Sequence, residues 1–236
     1  MFWDRLTGAQ VAPPGWAVAA SAAVALLIVA SPRFWRWTRM AITIAHEGGH
    51  GLASLLSGRR LEGIRLHSDT SGETFTRGRG SGLGIVMTAL AGYLTPPLLG
   101  AGAAELLAAR RVTLLLALVL VLLAVTLLAI RNWYGVLSVL VTAGAVLAVT
   151  WLTGPLPRAA FAYGVAWFLL FGGARPVVEL ARSRARARRR GRPSMSDADH
   201  LAALTGAPGV LWVALFALVA VAALALGARL LVPLPK

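Results

Sequence analysis

The sequence contains no cysteine. That excludes disulfides and thiolate metal sites, so any metal must be held by histidine and carboxylate. Acid is scarce as well: nine Asp and Glu stand against 23 Lys and Arg, nearly all of them arginine, for a formal net charge of +14 over 236 residues. Charged residues of both signs make up only 14% of the chain, whereas 58% is hydrophobic and the mean hydropathy is +0.73. The apolar residues gather into long blocks, the pattern of repeated bilayer spans rather than of a soluble core. The arginines fall mainly in the gaps between blocks, where the positive-inside rule accounts for them, and no nucleic-acid partner is expected. The stretch from Met1 to Trp16 lacks the basic segment and small-residue cleavage site of a signal peptide. The first block is therefore read as a retained span.

Windows of about 19 residues give candidate spans near 14–31, 39–57, 83–105, 112–130, 133–152, 159–174 and 208–227. The expected fold is all-α, a polytopic membrane bundle of about six or seven spans forming a single domain over residues 1–236. Between the blocks, residues 59–82 show apolar alternation at Leu61, Ile64 and Leu66, then the turn-like Asp69-Thr70-Ser71-Gly72, which predicts a small β-hairpin. The gap from Arg175 to Ser196 carries eight arginines and reads as a cytoplasmic loop. Strict alternation of seven spans then places the N-terminus on the same inner side. Anionic lipid headgroups are a candidate partner for Arg182–Arg192, each basic residue contributing about 1 kcal/mol, although a topology anchor in a solvated loop is the better reading of the run. Thr95-Pro96-Pro97 is expected to break the third span.

Within the apolar run from Ala41 to Leu56, three ionisable residues stand together as His46-Glu47-Gly48-Gly49-His50. On a helix, residues four apart share a face, so both imidazoles can reach one cation from a single rigid element. Glu47, one position round, can take a proton from a water that the cation acidifies to a pKa of about 7, and return it to a leaving amine. This H-E-x-x-H spacing specifies a zinc hydrolase site with a built-in general base. The bland alternative is a solvated helix surface. An ionisable group at the centre of a span costs about 2.5–3.5 kcal/mol, which argues against that alternative. Gly48, Gly49 and Gly51 each weaken a helix by about 1 kcal/mol and permit another backbone to come close.

A tetrahedral site with an open position needs a third protein ligand. The candidates are Glu62, His67, Asp69, Glu73, Glu105, Glu179, Asp197, Asp199 and His200. The charge map puts Glu105 on the far side and Glu179 among arginines, where ion pairing is expected. Asp197 and Asp199 open the last span from the side toward which His50 runs. Either could equally cap a helix, so spacing leaves the pair open.

The run Ala41–Gly51, set in a span of a small multi-span chain, resembles the site-2 protease superfamily of intramembrane zinc metalloproteases, in particular its small, compact bacterial members. Ser196-Asp197-Ala198-Asp199-His200-Leu201, followed by Leu204-Thr205, Pro208 and Trp212, is similar to the Ser-Asp-Ala block of that branch. The resemblance implies Zn2+ as cofactor, held by His46, His50 and an aspartate from a later segment, for which the block points to Asp197. It also implies Glu47 as catalytic base and a membrane-anchored protein substrate, hydrolysed at a peptide bond. Asp199, His200 and Asn132 remain as alternative or supporting residues; an amide at Asn132 could hold a substrate carbonyl or simply form a turn. The resemblance also suggests that the β-element after the zinc helix pairs with extended substrate, a passive surface loop being an equal alternative. The implied location is a bacterial plasma membrane, with the N-terminus and the active-site side cytoplasmic. Two rivals use the same residues. A non-proteolytic zinc-binding sensor or scaffold has no need of a base such as Glu47, and a metal or proton-coupled transporter would spread its ionisable groups over several spans.

Overall fold

A computed structural model of the chain describes residues 8–191 and 196–232. The first helix, α1 (Gly15–Ala30), ends at Ser31 in extended backbone, and Pro32 starts α2 (Pro32–Leu56) at its first position, where a missing N–H costs nothing. The two helices meet at 100°. A short hairpin follows, β1 (Arg60–Leu66) and β2 (Gly72–Arg77), antiparallel with a bulge between Leu61 and Gly63. Then come α3 (Leu83–Ala108), α4 (Val112–Ala129), α5 (Trp133–Leu152), α6 (Pro155–Arg189), the short α7 (Asp197–Thr205) and α8 (Gly209–Leu231). Five of these, α3, α4, α5, α6 and α8, are long and apolar enough to cross a membrane, and the bent pair α1–α2 can supply a sixth span. The protein is an integral membrane helical bundle with a small two-stranded sheet.

The centre is the packing of α3, α6 and α8. Leu170 of α6 is fully buried between two glycines, Gly100 on α3 and Gly227 on α8, where an added Cβ would lie 2.9 Å and 2.4 Å from its side chain. Small residues that let helices approach this closely are how bundles pack in lipid, where no hydrophobic force separates protein from solvent. The same device explains the one helix that was expected to break. Pro96 and Pro97 are buried inside a continuous α3, and Pro97 seats on Gly173 of α6, where a Cβ would fall 2.7 Å from its ring. The prolines still remove two N–H donors, which leaves the carbonyls of Gly92 and Tyr93 without their α-helical partners.

Three expectations need correction. The arginine-rich gap is not a loop up to Arg189: Arg175–Arg189 continues α6 to 35 residues, about 52 Å at about 1.5 Å per residue, well beyond a hydrocarbon core of about 30 Å. Pro176 lies inside this helix without ending it; beyond it, alternating Ala and Arg are strong helix formers, and no further Pro or Gly intervenes until Gly191. Arg192 and Met1–Thr7 lie outside the described residues.

The second correction is that seven alternating spans do not form. Alternation makes the first and sixth spans antiparallel, yet α1 runs parallel to α6: the Ser21 hydroxyl donates to the Ala160 carbonyl at 2.9 Å, and Arg175 bonds the Val29 carbonyl. With α1 turning sharply into α2, the start of α2 comes to the same end of the bundle as the end of α6. Arg39 pairs there with Glu179 at 3.5 Å, and Trp35 donates to Glu179 at 3.0 Å.

Third, the N-terminal segment at Gln10 does not sit beside the arginines. The Gln10 backbone N–H donates to the Arg110 carbonyl at the α3–α4 turn, at the opposite end. Of the described arginines, all but Arg110, Arg111, Arg158 and Arg229 cluster at the end where α6 terminates.

Candidate metal centre

His46 and His50 project from the same face of α2 toward α3, as four-residue spacing on a helix dictates. Their Nε2 atoms lie 3.1 Å apart. The third corner comes from far along the chain. Asp197, the first residue of α7, places Oδ2 3.3 Å from His46 Nε2 and 3.4 Å from His50 Nε2. These three residues are the group among the described residues whose ligand atoms converge closely enough to hold a metal ion.

The triangle fits a tetrahedral cation. Bonds of about 2.0–2.2 Å at tetrahedral angles separate ligand atoms by about 3.3–3.5 Å, and the observed edges run from 3.1 to 3.4 Å. The donor chemistry points the same way. His50 Nδ1 donates to the Thr88 carbonyl at 2.6 Å, which fixes the ring proton there and leaves a lone pair on Nε2. Two lone-pair atoms, His50 Nε2 and a carboxylate oxygen, then face each other beside a second imidazole. A single proton on His46 can satisfy only one of them. A cation at the centre satisfies all three.

Several residues without any sequence signal shape this centre. Tyr93 meets the His46 ring edge-on, with centroids 4.8 Å apart, and stacks in turn on Phe216 of α8 at 4.7 Å. Thr88 acts through its backbone carbonyl, which any residue could offer. An open cavity of about 410 Å³ reaches Tyr93 from the arginine-rich end, lined also by Arg39, Glu179, Ser183 and Ser196. It offers water a polar route to within one ring of His46.

Glu47, 5% exposed, is not one of the three converging residues. Its carboxylate accepts the Thr74 hydroxyl of β2 at 2.7 Å. The other sequence candidates fall elsewhere. Asp199 forms a capping box with Ser196, accepting its N–H at 3.1 Å and its hydroxyl at 2.6 Å, and pairs with Arg184 of α6. The capping role weighed for both aspartates thus goes to Asp199, which anchors the turn that presents Asp197. His200 is exposed on α7. His67 pairs loosely with Glu73 at 3.8 Å, and Glu62 with Arg77 at 4.0 Å. Asp69 closes the hairpin turn, where the Ser71 hydroxyl and N–H lower its carboxyl.

Asn132 turns its amide to the sheet. Its Nδ2 donates to the Leu66 carbonyl at 2.7 Å and its Oδ1 accepts the Leu66 N–H at 3.1 Å, while Arg131 N–H donates to the Ile64 carbonyl at 2.9 Å. Residues 130–132 therefore occupy the outer edge of β1, and a substrate strand has only the edge of β2 left to pair with.

A protein-family model described as Peptidase M50B-like matches residues 19–227, a range that takes in His46, Glu47, His50 and Asp197. No curated protein and no solved structure matches the chain.

Proposed function

The chain belongs to the peptidase M50B-like family of membrane metallopeptidases, and from that premise we propose that it is a zinc-dependent endopeptidase that hydrolyses peptide bonds of membrane-anchored proteins. The observation that carries this reading is the convergence of His46, His50 and Asp197 on one point, with Glu47 buried in the same turn of α2, inside a bundle of membrane helices.

His46, His50 and Asp197 would hold the ion through Nε2, Nε2 and a carboxylate oxygen. Zinc so bound supplies Lewis acidity, polarising the scissile carbonyl and lowering the pKa of water to about 7. Glu47 accepts a proton from the attacking water as its oxygen adds to the carbonyl carbon. The same carboxyl gives that proton to the amide nitrogen as the C–N bond breaks, so one water yields a new carboxyl group, which keeps the second water proton, and a free amine. Thr88 keeps the His50 lone pair directed at the ion, and Tyr93, backed by Phe216, holds the ring of His46. The unpaired edge of β2 supports recognition of a locally extended stretch of substrate by main-chain hydrogen bonds. The arginine cluster at the α6 end supports an orientation with that end, and the metal-binding residues near it, on the cytoplasmic side.

The reading is tested with the full chain in proteoliposomes and a membrane-tethered reporter. Wild type cleaves it; Glu47→Gln retains zinc and loses cleavage by about 100-fold or more. Equal cleavage by the two proteins rejects the proposal.

A further inference from the structure

A general base must keep its lone pair within hydrogen-bond reach of the proton it takes, and a displacement of about 1 Å can cost about 100-fold in rate. The H-E-x-x-H spacing sets where Glu47 leaves the helix; its side chain then has three rotatable bonds before the carboxylate. What fixes those bonds lies on the hairpin. The Thr74 hydroxyl donates to Glu47 Oε2 at 2.7 Å and lies 3.1 Å from the carbonyl of the same residue. A hydroxyl has one proton, and the shorter contact, to a carboxylate, is the stronger.

The other carboxylate oxygen meets Gly72. A Cβ at that position would lie 2.8 Å from Oε1 and 2.5 Å from Cγ of Glu47. Residues 72 and 74 are two apart on a strand and so present the same face. The base is held between a hydroxyl donor and a strip of bare backbone, both from β2.

Three independent ties keep β2 at that place. The Thr43 hydroxyl of α2 donates to the Thr70 carbonyl in the hairpin turn at 2.8 Å. Asn132 holds Leu66, the β1 residue paired with Gly72. Arg131 holds Ile64, the partner of Thr74. Each residue of β2 that touches Glu47 is therefore opposite a β1 residue pinned from the far side by the α4–α5 junction.

We propose that Thr74 is a positioning residue for the general base, its hydroxyl fixing the Glu47 carboxylate while Gly72 leaves room for it. The inference rests on the metallopeptidase reading above. Its consequence is that the hairpin is part of the catalytic apparatus and not only a surface along which substrate could lie.

The test measures kcat, KM and zinc content of the full chain in proteoliposomes with the tethered reporter, for Thr74→Val, Thr74→Ser, Gly72→Ala and Glu47→Gln. Thr74→Val, close in shape but without the donor, lowers kcat by about 10–100-fold with KM and zinc content unchanged. Thr74→Ser recovers most of that loss. Gly72→Ala, which crowds the carboxylate, lowers kcat with zinc retained. Wild-type kcat in Thr74→Val, equal impairment of the Ser and Val variants, or loss of zinc in step with activity each overturns the role of the hydroxyl. If Glu47→Gln is inactive while Thr74→Val is fully active, only this inference falls. If Glu47→Gln cleaves as wild type does, the reading beneath it falls instead.

Discussion

Gly92 of α3 faces both imidazoles of the H-E-x-x-H motif: a Cβ there would lie 2.3 Å from His50 Nε2 and 2.6 Å from His46 Nε2. The only residue that leaves those nitrogens room is glycine. Gly92→Ala should therefore lower zinc content of the purified protein by more than about 10-fold, the scale on which neighbours of ligands act. Gly102→Ala, on the same helix but facing open space, is the control and keeps its zinc. Equal zinc in both variants would remove the ion from this position.

The two aspartates of α7 are separated by role. Asp197→Asn should lose zinc by more than about 100-fold, since it removes a ligand rather than a neighbour of one. Asp199→Asn should keep its zinc and instead lower the thermal midpoint, because it weakens the capping box and the pairing with Arg184, a loss of about 1 kcal/mol. Metal analysis and a melting curve on each variant check this, and the reverse pattern would exchange the assignments.

The parallel course of α1 and α6 puts Val11 and Ala185 at opposite ends of the bundle, and both are exposed. Because the chain has no cysteine of its own, single Val11→Cys and Ala185→Cys variants report topology without background. An impermeant maleimide added to sealed cells is expected to label Val11→Cys and to reach Ala185→Cys only after permeabilisation. Labelling of both from one side would restore the alternation of seven spans.

Gly48, Gly49 and Gly51 show how a local signal divides once the fold is known. Gly49 is locked against α3, where a Cβ would meet Thr95 Oγ1 at 2.2 Å and the Ala91 carbonyl at 3.0 Å. Gly51 lies under the hairpin, where a Cβ would meet Leu61 at 3.3 Å. Gly48 meets only Thr126 Oγ1 at an ordinary 3.5 Å. Composition announces that something comes close to this face of α2. Which glycine meets which neighbour depends on helices dozens of residues away.

What the sequence by itself determined is what depends on short separations. Long apolar blocks set the helices, because an unsatisfied backbone cannot enter lipid. Alternation at Leu61, Ile64 and Leu66 set the hairpin, and four-residue spacing set His46 and His50 on one face. The tertiary structure decided everything that required distant segments to meet: the approach of Asp197, and not Asp199, to the two histidines, the use of Asn132 to pin β1, and the contact of Thr74 with Glu47. It also decided the topology. Hydropathy counts apolar residues but does not register a 100° turn at Ser31-Pro32, so a chain of apolar blocks reads as strict alternation. The turn brings Arg39 of α2 to Glu179 of α6, a contact between segments that hydropathy alone does not relate.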